Sequence, residues 1–173
     1  MIVVGIDPGK TGGIVRLRSD DWLHVAAFRA EDTILVGRGG DYRVKAMCAL
    51  LRDLAPELVV LEKQQAMPPK VHGRVQGVAS TASIMRAMGL WEGVLGALEV
   101  PHVLVRPQVW QRRILAGAPG EGKARAIAVA ERRLPGLNLT PGRCTKPHEG
   151  LADAACLALW GLETRGVEDG ERG

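Results

Sequence analysis

A short apolar stretch that stops on a carboxylate limits the fold of this sequence more than any other feature. Ile2-Val3-Val4-Gly5-Ile6 runs directly into Asp7-Pro8-Gly9, a turn sequence. Such a run reads as a strand buried on both faces, which requires other elements packed above and below it. Burying the carboxylate that closes it is costly unless something cationic compensates. Asp7 therefore has two readings, an Asx-type turn residue or a functional acid. Leu58-Val59-Val60-Leu61 ends on Glu62 in the same way, and its plain alternative is a strand-end charge reaching solvent.

Around these two runs the pattern is readable. Gly12-Gly13 leads into an alternating stretch to Arg18, and Trp22 to Phe28 is strand-like, so the first three strands should form an antiparallel meander. Residues 29–41, with Gly37, Gly39 and Gly40, read as a loop. Val44, Met47, Cys48, Leu51 and Leu54 fall at helical spacing before Pro56. A second loop with Pro68-Pro69 precedes a long helical pattern from about Val75 to Leu98, striped by Ile84, Met88, Trp91, Leu95 and Leu98. His102–Val105 is a further buried strand, and Pro107 suits the first turn of a helix running to about Leu115. Another helix holds Ile127 and Ala130 inward, and a last one starts near Pro147-His148 and passes Leu157 and Trp160. Residues 1–162 form one expected domain, and 163–173 a polar tail. The order implies a mixed five-stranded α/β sheet, three antiparallel strands beside parallel ones, flanked by helices. Ligands in such sheets sit at the carboxyl ends of the parallel strands, where Asp7 and Glu62 stand.

Composition narrows the class. The chain of 173 residues is long enough for one core without disulfides. No apolar run reaches the roughly 20 residues of a membrane helix. Its opening residues lack a basic n-region, so neither a signal nor a transit peptide is expected. Three cysteines with no CxxC pair read as thiols of a reducing compartment. Residues 63–86 and 106–146 together carry a net +11, which leaves −7 for the rest of a chain whose overall charge is +4. That segregation suits a polyanion-facing surface, or else a solvated basic helix face. Six aromatic residues are too few for a binder built on base stacking.

The third acidic element is His148-Glu149-Gly150-Leu151-Ala152-Asp153. Glu149 and Asp153, four apart, share a helix face about one turn apart. They serve either a metal or the favourable charge at a helix start. His148 lies roughly 140° around the helix from Asp153. Gly150, Ala152, Ala154 and Ala155 would let this helix lie close to the sheet. Two strand-end carboxylates side by side repel unless a hard divalent cation such as Mg²⁺ or Mn²⁺ lies between them.

Gly5-Ile6-Asp7-Pro8-Gly9, Gly12-Gly13, strand-terminal Glu62 and Glu149-Gly-Leu-Ala-Asp153, in that order, resemble the RuvC-type Holliday junction resolvases, in a phage-like variant of that RNase H-like, integrase-related superfamily. The resemblance implies a cluster of acids binding two Mg²⁺, replaceable by Mn²⁺, with Asp7, Glu62 and Asp153 matching ligands directly. Bacterial members carry the remaining ligand three residues before the last Asp, where this chain has Gly150. Glu149 is then the expected fourth ligand and His148 the reserve. The implied activity is a structure-selective endonuclease that resolves four-way junctions by paired symmetric nicks, in DNA recombination or repair. Lys63, Lys70, Arg74, Arg112, Arg113, Lys123, Arg125 and Lys146 are the expected DNA contacts, with Met67 as an apolar wedge. The implied partner is branched DNA, and paired nicks call for a second copy of the chain. The long helix, with its apolar stripe and few charges, is the natural dimer seam, although some of that stripe must pack on the sheet. Neither a membrane nor a nucleotide cofactor is expected. The implied setting is the cytoplasm of a bacterial or phage-infected cell. The competing readings are a related nuclease acting on other branched DNA or RNA/DNA hybrids, half of a sugar kinase-like or actin-like ATPase, and a non-catalytic junction binder.

Overall fold

The two apolar runs that end in acids become neighbouring parallel strands at the centre of a sheet. In the computed structural model, which describes residues 1–19, 26–35, 40–64 and 77–170, β1 (Ile2–Ile6) pairs antiparallel with β2 (Gly13–Arg18), and β2 with β3 (Ala26–Arg29). A single turn of helix, α1 (Ala30–Thr33), and then α2 (Val44–Leu54) lead to β4 (Leu58–Glu62), which lies parallel to β1. The long α3 (Val78–Ala97) precedes β5 (His102–Val105), parallel to β4. Helices α4 (Pro107–Ile114), α5 (Lys123–Arg133) and α6 (Glu149–Gly170) complete the chain, and the strand order is β3-β2-β1-β4-β5. This is the mixed five-stranded arrangement that the sequence pattern predicts.

The strand period of two sorts the side chains between two cores. Val3, Leu58 and Val60 face α4, α5 and α6, whereas Val4, Ile6, Val59 and Leu61 face α2 and α3. Asp7 and Glu62 continue the parity of Gly5 and Val60, so the pleat directs both acids to the α6 side. On that side α6 lies almost on the strand backbone. A Cβ built on Gly5 would stand 2.0 Å from the Ala154 carbonyl oxygen and 2.5 Å from the Ala158 nitrogen. At the helix start Gly150 forms a bridge with Gly12, and a Cβ on Gly150 would meet the Thr11 oxygen at 2.4 Å. The small residues expected to let the helix approach do so, and Ala152, Ala154, Ala155 and Ala158 are all buried.

Three expectations need correction. Residues 30–33 form a helical turn where a loop was predicted; Ala30 is buried and the Ile34 N–H closes the turn onto its carbonyl at 3.0 Å. The last helix does not give way to a loose tail at 163 but runs on to Gly170. Glu163, one turn past Leu159, is held there by Arg133 at 2.6 Å and Arg113 at 3.1 Å, a pairing that sequence spacing cannot reveal. The stripe on α3 is largely spent inside the protomer, since Trp91 and Leu95 are buried in the core shared with α2 and the sheet, and Met88 is buried as well. The open face of α3 is a different one, carrying Ala82, Met85, Gly89, Gly93 and Gly96. The expected strand start at Trp22 and the positions Met67, Lys70 and Arg74 lie outside the described residues. All three cysteines are free thiols; Cys156 is buried, and Cys48 and Cys144 are half-buried.

Candidate active site

Asp7 leaves the end of β1 in a tight turn. Its backbone N–H donates to the Gly13 carbonyl at 3.0 Å, and its Oδ1 accepts from the Gly9 N–H at 3.3 Å. The turn is held from the other face of the sheet by the Tyr42 hydroxyl, which donates to the Pro8 carbonyl at 3.0 Å. Glu62 closes β4 and is buried. Its Oε1 accepts from the indole N–H of Trp110 at 3.0 Å, and its Oε2 from the Gln64 amide. Asp153, on the second turn of α6, is also buried and is ion-paired with Lys123, the first residue of α5. Three carboxylates thus come from the ends of two parallel strands and from the helix that crosses them, with one ammonium among them.

Their ionisation shows that they share one environment. The Asp7 carboxyl is pushed up to about 6, first by burial and then by the charge of Asp153. Glu62 is pushed up to about 7 by burial and by Asp7; the Trp110 hydrogen bond and the Lys123 charge pull the other way. Burial works against the Lys123 ammonium, but the Asp153 hydrogen bond and the charges of Asp153, Asp7 and Glu62 outweigh it and hold the proton on. A cluster of this sign, with only oxygen donors, suits a hard divalent cation. Among the described residues no three such side chains enclose an ion as they stand; Asp7 is engaged by Gly9, Glu62 by Trp110 and Gln64, and Asp153 by Lys123. Side-chain rotation within the cluster is what a bound cation would require of them.

Glu149 is exposed at the first turn of α6. His148 caps that helix, its Nδ1 accepting from the Leu151 N–H at 3.2 Å while its backbone N–H donates to the Leu139 carbonyl at 2.7 Å. Burial lowers the imidazole, and the charges around it are Glu31, Arg29, Asp32 and Glu149 rather than Asp7 or Glu62. Of the expected DNA contacts, Lys63 follows β4, and Arg112 and Lys146 are exposed. Arg113 pairs with Glu163, and Arg125 donates to the Leu115 carbonyl. Sequence reasoning missed Trp110, Gln64 and Tyr42 as supports of the site. Trp110 alone left a signal: a tryptophan in the otherwise basic helix PQVWQRRI, whose indole N–H must find a partner once buried.

Fold and site together define an RNase H-like architecture with an acidic cluster at the carboxyl edge of its sheet. Among solved structures the chain is similar to Thermus thermophilus RuvC, at 21% identity and a TM-score of 0.61 over 96% of this chain and 97% of that one. The same protein in complex with a Holliday junction substrate matches at 22% identity and a TM-score of 0.62, covering 96% of each chain. The fowlpox virus resolvase in complex with Holliday junction DNA matches at 13% identity and 0.55, over 95% of this chain and 99% of that one. No protein-family model matches the sequence, and no curated protein does.

Proposed function

We propose that the chain is a metal-dependent endonuclease that resolves four-way DNA junctions by paired symmetric nicks. The observation that carries the reading is the meeting of Asp7, Glu62 and Asp153 at the carboxyl edge of the sheet, in a chain whose fold matches resolvases over nearly its whole length. Asp7, Glu62 and Asp153 would hold Mg²⁺, or Mn²⁺ in its place. Glu149 is the proposed fourth donor, since Gly150 has no room for a side chain. When bound, such ions supply an acidified water and charge stabilisation at a phosphodiester. The chain's own residues prepare for this. Trp110 and Gln64 hold Glu62 within the cluster, α6 carries Asp153 on a backbone seated on β1, and Lys123 keeps a positive charge beside Asp153. Two nicks placed symmetrically call for two copies of the site. The open face of α3 supports a homodimer seam, because nothing among the described residues lies within 4 Å of a Cβ placed on Gly89, Gly93 or Gly96, so a second helix can approach closely.

Incubation with Mg²⁺ and a synthetic four-way junction tests the reading, with flap, duplex and RNA/DNA hybrid substrates beside it. Paired nicks across the junction are expected; cutting of the hybrid or flap alone would overturn junction resolution. The fourth donor is tested separately. Glu149→Gln should be nearly inactive, while His148→Ala keeps measurable cutting with a changed pH profile. The reverse result would assign the role to His148.

A further inference from the structure

Helix α5 opens with a cation where a helix start favours an acid. Lys123 is its first residue, no acid stands in the first turn, and among the described residues no side-chain bond caps the helix. The N-terminal end of the macrodipole repels an ammonium, so Lys123 is not placed there for the helix's sake. Its ammonium reaches across to α6 and pairs with Asp153. The charges of Asp7 and Glu62 act on the same ammonium, so one cation serves all three acids of the cluster. The two partners are unequally placed, since the Lys123 side chain is 58% exposed and that of Asp153 only 7%. Asp153 is carried by a helix whose backbone is seated on β1. The start of α5 is held as well, by buried Ala126 and by the Arg125 guanidinium on the Leu115 carbonyl. What is left to move is the Lys123 side chain, a flexible four-carbon stem with an open exit to solvent.

A divalent cation on these acids and an ammonium on Asp153 repel each other, and the ammonium is the one that can leave. Trp110 supplies the contrast within the same site. Its indole donor on Glu62 is neutral and fully buried, so it neither opposes a cation nor has anywhere to go. We propose that Lys123 is an exchangeable counter-ion: it neutralises Asp153 in the metal-free protein and passes to a phosphate of the bound strand once a divalent cation occupies the acids. Metal and DNA then bind cooperatively, because metal frees a phosphate ligand and a bound phosphate draws the ammonium off a metal ligand. The inference rests on the junction-cutting reading and adds to it a coupling between the two ligands that the acids alone do not provide.

Two titrations of the full chain test it, on the wild type and on Lys123→Met, which keeps the stem and loses the charge, with Lys123→Arg and Arg112→Ala as controls. Without DNA at pH 8, Lys123→Met should bind Mn²⁺ at least about fivefold more tightly than the wild type, because no ion pair has to be broken. Neither control should gain affinity. Equal or weaker Mn²⁺ binding by Lys123→Met would overturn the counter-ion role and leave Lys123 as a structural partner of Asp153. Binding of a fluorescent four-way junction is then measured against salt, either with EDTA or with Ca²⁺ at a fixed concentration. In EDTA the log–log slopes of wild type and Lys123→Met should coincide; with Ca²⁺ the variant's should be flatter by about one, since one phosphate ligand is missing. Lys123→Arg should follow the wild type under both conditions. A Lys123→Met slope already flatter in EDTA would mean a permanent phosphate contact, coincident slopes with Ca²⁺ would mean none, and either would overturn the exchange. A wild type that binds Mn²⁺ but no junction would overturn the parent reading instead, while the Mn²⁺ titration would still decide the counter-ion role.

Discussion

On the α6 face of the sheet backbone meets backbone: Gly5 lies under Ala154 and Ala158, and Gly150 lies on Gly12. On the α2 and α3 face the contact is made by large side chains, with Met47, Leu51, Trp91 and Leu95 filling the space over Val4, Ile6 and Leu61. The two buried tryptophans follow the same division. Trp110, on the α6 side, donates to Glu62, whereas the Trp91 indole N–H on the other side has no partner among the described residues. The difference is instructive because acids that share one site need a fixed backbone, and a helix seated on glycine has little freedom to shift relative to its strand. A side-chain-filled interface can repack more easily. The face with the looser contact also carries the open surface of α3.

The strongest way to break this comparison is to add one methyl group to each side. Gly5→Ala would push α6 off β1 and should cost more than about 3 kcal/mol or abolish cooperative folding. Gly93→Ala, on the open face of α3, should instead stabilise the fold by up to about 1 kcal/mol. Urea denaturation of the two variants reads both values, and equal effects would erase the distinction between the faces.

Asp7→Asn removes charge without changing size. Cleavage should fall on the order of a hundredfold or more, while junction binding persists and the metal-free protein becomes more stable. Binding and cleavage measured on one substrate would show the split; equal losses would mean that the acid cluster also anchors the DNA.

A smaller effect concerns pH. Asp7 and Glu62 are held above their ordinary values of 3.8 and 4.5, at about 6 and about 7, so folding favours their protonated forms. Their contribution to stability is fully present below about pH 4 and is lost as pH rises through 6 and 7. The metal-free melting temperature should therefore fall between pH 5 and pH 8, and Mg²⁺ should restore it at pH 8 but not at pH 5. A melting temperature that rises over that range without metal would contradict the cluster.

The smallest change sharpens the contrast between the tryptophans. Trp110→Phe keeps bulk but removes the donor to Glu62, whose carboxyl should then rise further and move the acid limb of the pH–rate profile to higher pH. Trp91→Phe, which loses an unpartnered N–H, should leave that limb where it is. Identical profiles for the two variants would deny Trp110 any role in orienting Glu62.

The central strands were legible because burial on both faces leaves an unbroken apolar run, and the acids at their ends because a charge there breaks that run. Gly150, Ala152, Ala154 and Ala155 were legible as a helix able to lie close, whereas the contact of Gly5 with Ala154 and Ala158 was not. The stripe on α3 misled because a helix pattern records that a face is buried without recording what buries it. Glu163 was read as the first residue of a tail because its partners are 50 and 30 positions away, on α4 and α5.

The sequence by itself determined the strand–acid units and the order of the elements. These follow from local periodicity and from the cost of burying a charge, which any short window of sequence expresses. Only the tertiary structure decided that Lys123 and Trp110 attend the cluster while His148 caps α6 beside Arg29. Such placements depend on how the helices rotate over the sheet. Close packing against residues distant in sequence sets that rotation, and no local pattern encodes it.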